Sequence, residues 1–403
     1  MIELEEARER ILAALPLASN ETIPLADTAG RICSDAIVSP IRLPCFDNSA
    51  MDGYALRAED MSGAGEESPI ALTMVGRVPA GDIYSGESIQ SGQCVRIFTG
   101  SPLPPGADAV IMQEDTRAKG DAIECLDPVK PWENVRLAGE DVKQGSTLAK
   151  PGDAITVGRL AVLAAVGVDA VKVGCRPKVG LLATGDELRE PGQELKPGEI
   201  YESNRRTLAQ LARNAGAIPV EFPVVPDRLD ATIDDLKTAF EECDFVVTSG
   251  GVSVGEMDFV KEAFEKLGGT MDFWKVRMKP GKPFVFGQLG GKLLFGLPGN
   301  PVSAMVTFLM LARPAIVCFQ GGRVDAQSRM TGVLVEPLAN RGNRRHFFRV
   351  RMDDEGNVHS AGMQASHALG ALADANGLVD VPPDSSLEVG GKVNVFRWDQ
   401  ELR

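Results

Sequence analysis

Histidine is scarce in this 403-residue chain: there are three, at positions 346, 359 and 367. Seven cysteines are scattered at 33, 45, 94, 125, 175, 243 and 318, with no CxxC spacing. These shortages exclude a His/Cys structural metal site, and the odd cysteine set reads as reduced thiols of a cytoplasmic protein, not as a disulfide framework. Long apolar runs are missing too. The longest lies within 302–311 and is interrupted by Arg313 and Pro314, well short of the ~20 residues of a membrane span. The first ten residues, MIELEEARER, are acidic and amphipathic, unlike a signal or transit peptide. Basic charge is the last shortfall: 42 Lys and Arg stand against 56 Asp and Glu, a net charge of -14. So acidic a chain is a poor generic binder of nucleic acid or of an anionic membrane surface, and partners of either kind are not expected.

What is present is ordinary globular material, with 44% apolar and 24% charged residues. At ~150 residues per domain, the length predicts about two to four domains. Residues 3–15 repeat apolar positions at helical spacing until Pro16, which predicts a first helix. From about 20 to 150, β-prone runs such as QCVRIF and DAVIMQ alternate with turn clusters such as VPAGD and KPGD, so this region is predicted to be β-rich. A short helix is expected over 156–167. From 177 to 320 strands and helices alternate. VGLLAT, IPVEFPVV, DFVVTS, MDFWKVRM, PFVFGQL and KLLFGL carry the strands, and a long helix starts at Pro301. For the helix in NRRTLAQLARNAG, Ser203 is the expected N-cap and Gly216 the C-cap. Such repetition predicts a mostly parallel, doubly wound sheet. The last ~75 residues, with HFFRVRM and KVNVFRW, predict a small barrel or sandwich.

In an open α/β sheet, ligands bind beyond the carboxyl ends of the strands. The segments leaving the strands here are TGDE (184–187), VPD (225–227), TSGGVSVGEMD (248–258), MKPGKP (278–283) and GLPGNP (296–301). All five are expected on one rim. Amides of Ser249, Gly250, Gly251 and Ser253 could cradle a phosphate or oxyanion, although neither GxxxxGK[ST] nor GxGxxG occurs. Charge segregates sharply. From Phe273 to Val324, 52 residues contain no Asp or Glu but hold Lys275, Arg277, Lys279, Lys282, Lys292, Arg313 and Arg323. That is a field for an anionic ligand. Lys275 and Lys279 are its expected ligand-binding members, and Lys292 and Arg323 are read as surface balance. Arg341, Arg344, Arg345, Arg349 and Arg351 make a second acid-free cluster. Glu187, Asp227 and Asp258 fall on the same predicted rim, and hard carboxylate oxygens beside phosphates imply Mg2+ or another divalent cation. A rival motif is Gly251-Val252-Ser253-Val254-Gly255, which matches the G-x-S-x-G nucleophile elbow of serine hydrolases. An elbow serine stands at the strand-to-helix turn itself, whereas Ser253 falls several residues past the strand. The hydrolase is therefore kept as the lesser alternative.

Taken together, PCFDNSAMDGYAL (44–56), VRIFTGSPLPPGADAVIMQED (95–115), AGED (138–141), TGDEL (184–188), SNRRTLAQL (203–211), TSGGVSVGEMDF (248–259), MKPGKPF (278–284) and GLPGNPVSA (296–304) resemble the molybdopterin molybdenumtransferase family, the MoeA-type proteins and the gephyrin E domain. The resemblance covers most of residues 1–320 and is weaker over 325–403. It implies a multidomain α/β plus β chain. A discontinuous N-terminal or linking part would take 1–50 with 141–176, and a β-rich inserted lobe 51–140. A doubly wound α/β molybdopterin-binding domain would take 177–325, and a C-terminal β-barrel 326–403. It also implies a homodimer with its cleft between subunits.

The implied reaction inserts molybdenum from molybdate into adenylylated molybdopterin and releases AMP. Carried over residue by residue, the resemblance points to Asp52, Thr99, Asp141, Glu187, Lys275 and Lys279 as catalytic. Asp227 and Asp258 would be the Mg2+ ligands. Pro298, Pro301 and Arg349 would join Lys275, Lys279, Ser249, Gly250, Gly251 and Ser253 in binding the substrate. The implied partners are a molybdopterin adenylyltransferase and the recipient molybdoenzymes or their chaperones. A non-catalytic gephyrin-like scaffold or pterin-binding module is the remaining alternative.

Overall fold

The structure is a computed structural model that describes residues 1–17, 19–251, 259–323 and 329–398. The chain divides into two compact units, one of residues 36–149 and 158–169, the other of 1–35, 150–157 and 170–403.

The smaller unit is built on a six-stranded sheet of β1 (Gly53–Leu56), β2 (Ile70–Val78), β3 (Gln93–Ile97), β4 (Ala109–Met112), β5 (Thr116–Lys119) and β6 (Ala122–Cys125). Their spatial order is β4-β1-β3-β2-β6-β5. Alternation along β1 sends Tyr54 and Leu56 to one core and Ala55 to another, with Val95, Ile97 and Val110. That is the two-residue period of a strand covered on both faces.

The larger unit holds the expected α/β sheet. Its strands are β7 (Lys178–Thr184), β8 (Ile218–Val225), β9 (Phe245–Ser249), β10 (Thr270–Trp274), β12 (Val285–Leu289) and β13 (Lys292–Leu297), in the order β8-β7-β9-β13-β12-β10. The neighbours β8, β7, β9 and β13 are mutually parallel, while β12 runs antiparallel to both β13 and β10. Both faces are buried, and the sequence alternates accordingly. Val179, Leu181, Phe245, Val247, Leu293 and Phe295 enter one core, and Leu182, Val246 and Leu294 the other. Helices α1 (Leu4–Ala13), α2 (Asn204–Asn214) and α5 (Pro301–Phe319) cover the first face. Helices α3 (Leu229–Glu242) and α4 (Val260–Lys266) cover the second.

Three expectations need correction. First, the apolar stretch within 302–311 is not cut off at Arg313 and Pro314, because the long helix expected from Pro301 continues through them as α5. A π turn over Phe308–Ala312 lets it run on for 19 residues. This makes it long and apolar enough for a membrane span, but 89% of that stretch is buried inside the fold, so it is the core helix of the sheet. Second, Ser203 makes no side-chain cap on α2; Glu202 takes the Arg205 amide at 2.9 Å instead. Gly216 does end that helix, at φ +87°. Third, the strand expected over 271–278 breaks at Trp274. Met278 and Lys279 form a separate short strand, β11, belonging to another sheet.

That sheet is the C-terminal barrel of β14 (Arg329–Leu334), β15 (Arg345–Met352), β16 (Asn357–Ser360), β17 (Gly377–Val381) and β18 (Lys392–Arg397). Pairing runs β15-β16-β14-β18-β17 and returns from β17 to β15, closing the ring. β11 adds to β15 in parallel, with Met278 opposite Arg345 and Lys279 opposite His346.

Candidate functional site

The rim of the α/β sheet is where its parallel strands end. Adjacent registers set Ala183 beside Ser249 and Ser249 beside Leu297, so the loops after β7, β9 and β13 leave side by side. A cavity of about 580 Å³ opens there, lined by Thr184, Glu187, Ser249, Asn204, Pro301 and His367, among others. Asn204 ties its walls together. Its Nδ2 donates to Ser249 Oγ at 2.6 Å and to the Gly299 carbonyl at 2.7 Å. The outer wall comes from the barrel region. Asn300 Nδ2 donates to Ser366 Oγ at 3.1 Å, and the Val302 amide donates to the Ser366 carbonyl at 3.2 Å.

The glycines after β9 fit the rim because they have no side chain. Gly250 and Gly251 take φ +91° and +67°, and a Cβ on either would meet Thr184 Oγ1 at 3.0 Å and 2.9 Å. Such left-handed backbone close to a neighbouring strand end is what glycine permits. Ser249 is buried and hydrogen-bonded at the floor, while Glu187 is exposed at the mouth.

The structure places the other expected residues as follows. Asp227 lies after β8 and Lys275 after β10, at opposite flanks of the rim, five strand spacings or ~24 Å apart. Neither lines the cavity. Lys275 is half-buried, holds φ +81°, and sets its ammonium 4.1 Å from the Trp274 ring centre, a cation–π contact. Positive φ at a lysine is rare and costly, and such backbone clusters at functional sites. Lys279 is exposed on β11, in the connection from the carboxyl end of β10 to β12, where the backbone pairs with the barrel strand β15. Pro298 is buried behind the cavity, and Pro301 opens α5 at its first turn. Ser253 and Asp258 lie outside the described residues.

Arg349 is 1% exposed and donates to the carbonyls of Ala365, at 3.0 Å, and Met363. It therefore holds the segment that becomes the outer cavity wall. The acid-free arginine cluster dissolves in the same way. Arg344 donates to the Met278 carbonyl, and Arg345 pairs with Glu5 and Asp380. Backbone carbonyls and distant acids supply the partners that the local sequence lacks. Lys292, read as surface balance, donates to the Phe240 and Glu241 carbonyls.

In the smaller unit, Asp52 Oδ1 accepts from the Thr99 amide at 2.8 Å and from Thr99 Oγ1 at 2.9 Å. These bonds, the amide first, hold the Asp52 carboxyl below the ordinary aspartate range. Asp141 is exposed in the same unit, its amide bonded to the Leu43 carbonyl.

Three family regions match the chain in order. They are the MoeA N-terminal region (domain I and II) over 2–167, the probable molybdopterin binding domain over 180–317, and the MoeA C-terminal region (domain IV) over 331–398. A molybdopterin molybdenumtransferase of Haemophilus influenzae is 39% identical over 383 residues, covering 93% of each chain. The chain belongs to the molybdopterin molybdenumtransferase family. Another relative, molybdopterin molybdenumtransferase 2 of Mycobacterium tuberculosis, is 38% identical over 403 residues and 98% of each chain. The solved molybdopterin biosynthesis moeA protein of Pyrococcus horikoshii OT3 has a TM-score of 0.85 at 31% identity. That match covers 98% of this chain and 99% of that one. Nothing in these likenesses favours a serine hydrolase or a scaffold.

For a molybdopterin molybdenumtransferase, the residue that sequence reasoning missed is Asn204. It lies inside the SNRR segment that carries the resemblance, but an asparagine opening a helix reads as a cap. Its bridge between two strand ends shows only in three dimensions. Among the described residues no three His, Cys, Asp or Glu side chains gather to hold a metal. The rim does offer hard oxygen donors in Asp186 and Asp227. Magnesium is usually held by one or two carboxylates, water and substrate phosphates. The donor set therefore fits an ion shared with a phosphorylated substrate and not one caged by protein.

Proposed function

We infer that this chain inserts molybdenum from molybdate into adenylylated molybdopterin, giving the molybdenum cofactor and AMP. The observation that carries this reading is the joint one: family likeness over nearly the whole chain, and a built cavity at the carboxyl ends of the parallel strands. In the reaction water cleaves the phosphoanhydride of the adenylylated pterin, giving AMP and the pterin phosphate, and the dithiolene sulfurs of the pterin displace an oxygen of molybdate, which leaves as water with the two thiol protons. Those sulfurs belong to the substrate, so no cysteine cluster is required of the protein.

The chain's own residues bind and orient. Amides at Ser249, Gly250 and Gly251, with the Asn204 bridge, form the floor for an anionic group. Lys275, held by its backbone and the Trp274 ring, supplies fixed positive charge on one flank, and Lys279 a second. Charge fixed before the substrate arrives stabilises the anion released as the anhydride breaks. Glu187, exposed at the mouth, is the candidate to accept a proton from water or from protonated oxyanion. A magnesium ion would be held by Asp227, with Asp258 as the second ligand read from sequence, and would neutralise phosphate charge when bound.

The reading extends to a cytoplasmic homodimer. Its seven unbridged cysteines suit a reducing compartment. The Asp52–Thr99 pair and Asp141 are the residues a second subunit would contribute. An adenylyltransferase would hand over the substrate, and molybdoenzymes or their chaperones would take the product. The test is to incubate the purified protein with adenylylated molybdopterin and Mg2+, with and without molybdate. AMP release that depends on molybdate supports the reading. AMP release without it, or none in either case, overturns it. Light scattering on the same preparation tests the dimer.

A further inference from the structure

At the opposite end of the α/β sheet from the catalytic rim lies a second hollow of about 220 Å³. Its lining includes Gly30, Arg31, Arg176, Arg213, Asn214 and Gln320. Arg176 precedes β7 and Asn214 ends α2, so the hollow sits where β7 begins. The length of that strand separates it from the rim by ~20 Å, at about 3.3 Å per residue.

Three guanidinium groups meet at this hollow with too few acids to balance them. Arg31 pairs with Glu21 at 2.5 Å, and Arg213 lies 3.7 Å from Glu221. Arg176 makes no ion pair among the described residues, although the charge of Glu21 reaches it; its Nε and Nη2 donate to the carbonyls of Gly216 and Ala217. Those bonds cover the negative end of α2. The net local charge is +1, three arginines less two glutamates. Burial first, and then the neighbouring charge of Arg31, lowers the Arg176 pKa. The Arg31 and Arg176 guanidinium groups thus repel one another, and Glu21 offsets part of that repulsion. Donor capacity is also left over. Arg31 Nε is buried with no partner among the described residues. Arg176 uses only two of its three nitrogens in the bonds above, and the Asn214 amide is engaged through its oxygen by Gln210. A set of planar guanidinium donors around a small hollow suits a compact oxyanion. At ~30 Å³ per water, the volume equals about seven waters, enough for a tetrahedral anion and part of its shell.

We propose that the hollow bounded by Arg31, Arg176 and Arg213 is a binding site for a tetrahedral oxyanion, free or as the phosphoryl end of a small molecule, separate from the catalytic rim. An anion there would neutralise the excess charge and cross-link the 29–31 turn to the end of α2. Because Arg176 precedes β7 and Arg31 donates to the Gly174 carbonyl just before it, occupancy would stabilise that sheet from its far end.

The test uses the full-length protein and calorimetric titration at constant ionic strength. Inorganic phosphate, molybdate and glycerol 3-phosphate are the ligands, with chloride as the matched control. Wild type is expected to bind phosphate saturably, whereas Arg213→Gln should lose at least tenfold in affinity. Arg213 is half-exposed on the surface of α2, so its loss leaves the fold intact. Arg176→Ala is the stronger variant, checked by circular dichroism because it also frees two carbonyls. Equal binding of phosphate and glycerol 3-phosphate identifies a free oxyanion as the ligand. Tighter binding of the ester identifies an organic phosphate. No saturable binding in wild type, or binding unchanged in Arg213→Gln, would each overturn the proposal.

Discussion

Asp186 and Asp227 cap each other. The Asp227 amide donates to Asp186 Oδ1 at 3.1 Å, and the Asp186 amide donates to Asp227 Oδ2 at 3.2 Å. Two carboxylates 41 positions apart in sequence thus pin the loops leaving β7 and β8 to one another. The mutual cap gives Asp227 a structural duty beside any contact with a cation.

The two duties of Asp227 separate by substitution. Asp227→Asn keeps a carbonyl oxygen for the Asp186 amide and removes only the charge. It should melt within about 0.5 kcal/mol of wild type while AMP release falls at least tenfold. Asp227→Ala loses the acceptor as well and should cost a further ~1 kcal/mol. Urea midpoints beside rates of AMP release measure both. Equal activity in Asp227→Asn and wild type would remove the cation-ligand role.

Gly250 tests the rim from the backbone side. At φ +91° a side chain is strained, and its Cβ would sit 2.9 Å from the Thr184 carbonyl oxygen. Gly250→Ala should therefore lose about 1–3 kcal/mol. It should also slow turnover, because the amides of this loop move with it. A thermal midpoint equal to that of wild type would mean the loop relaxes without cost.

The α/β sheet was legible because its strands are continuous apolar runs between helices of clear period, and both signals arise from local sequence. The rim followed from the rule that such sheets bind ligands at their carboxyl ends. The partner of a buried cation was not legible. No acid lies near Arg349 in the arginine cluster, and its partners are carbonyls at 363 and 365, supplied by a loop that only folding brings there. The pairing of Lys279 was hidden for a related reason. The break after Trp274 transfers Met278 and Lys279 to a strand pairing more than 60 residues away, and no periodicity in MDFWKVRM announces it.

The carbonyl contacts of Arg349 make their own prediction. Arg349→Lys keeps the charge but replaces a planar fork with a single ammonium, so one of the two carbonyls loses its donor. The variant should lose about 1–3 kcal/mol of stability. Because 363–366 forms the outer wall, its KM for the adenylylated pterin should rise more than its kcat falls. A direct substrate ligand would instead be rescued by lysine, with stability unchanged.

His346 adds a pH dependence. It is buried on β15 opposite Lys279, and its Nε2 has no hydrogen-bond partner among the described residues. Burial, and then the charges of Lys279, Arg349 and Arg344, push its pKa down to about 4. In the unfolded chain it titrates near ~6.5. Between those values the unfolded state binds more protons, so stability must rise with pH. The contribution is complete above about 6.5 and lost as pH falls toward 4, a span of roughly 3 kcal/mol at ~1.4 kcal/mol per pH unit. His346→Gln has no proton to gain and should show a flatter stability profile between pH 4 and 6.5, measured by urea unfolding at each pH. His359→Gln, at a half-buried position beside Asp353, serves as the control. If the wild-type and His346→Gln profiles run parallel, the acid sensitivity of the chain lies elsewhere, and the positive field around Lys279 does not reach into the barrel wall.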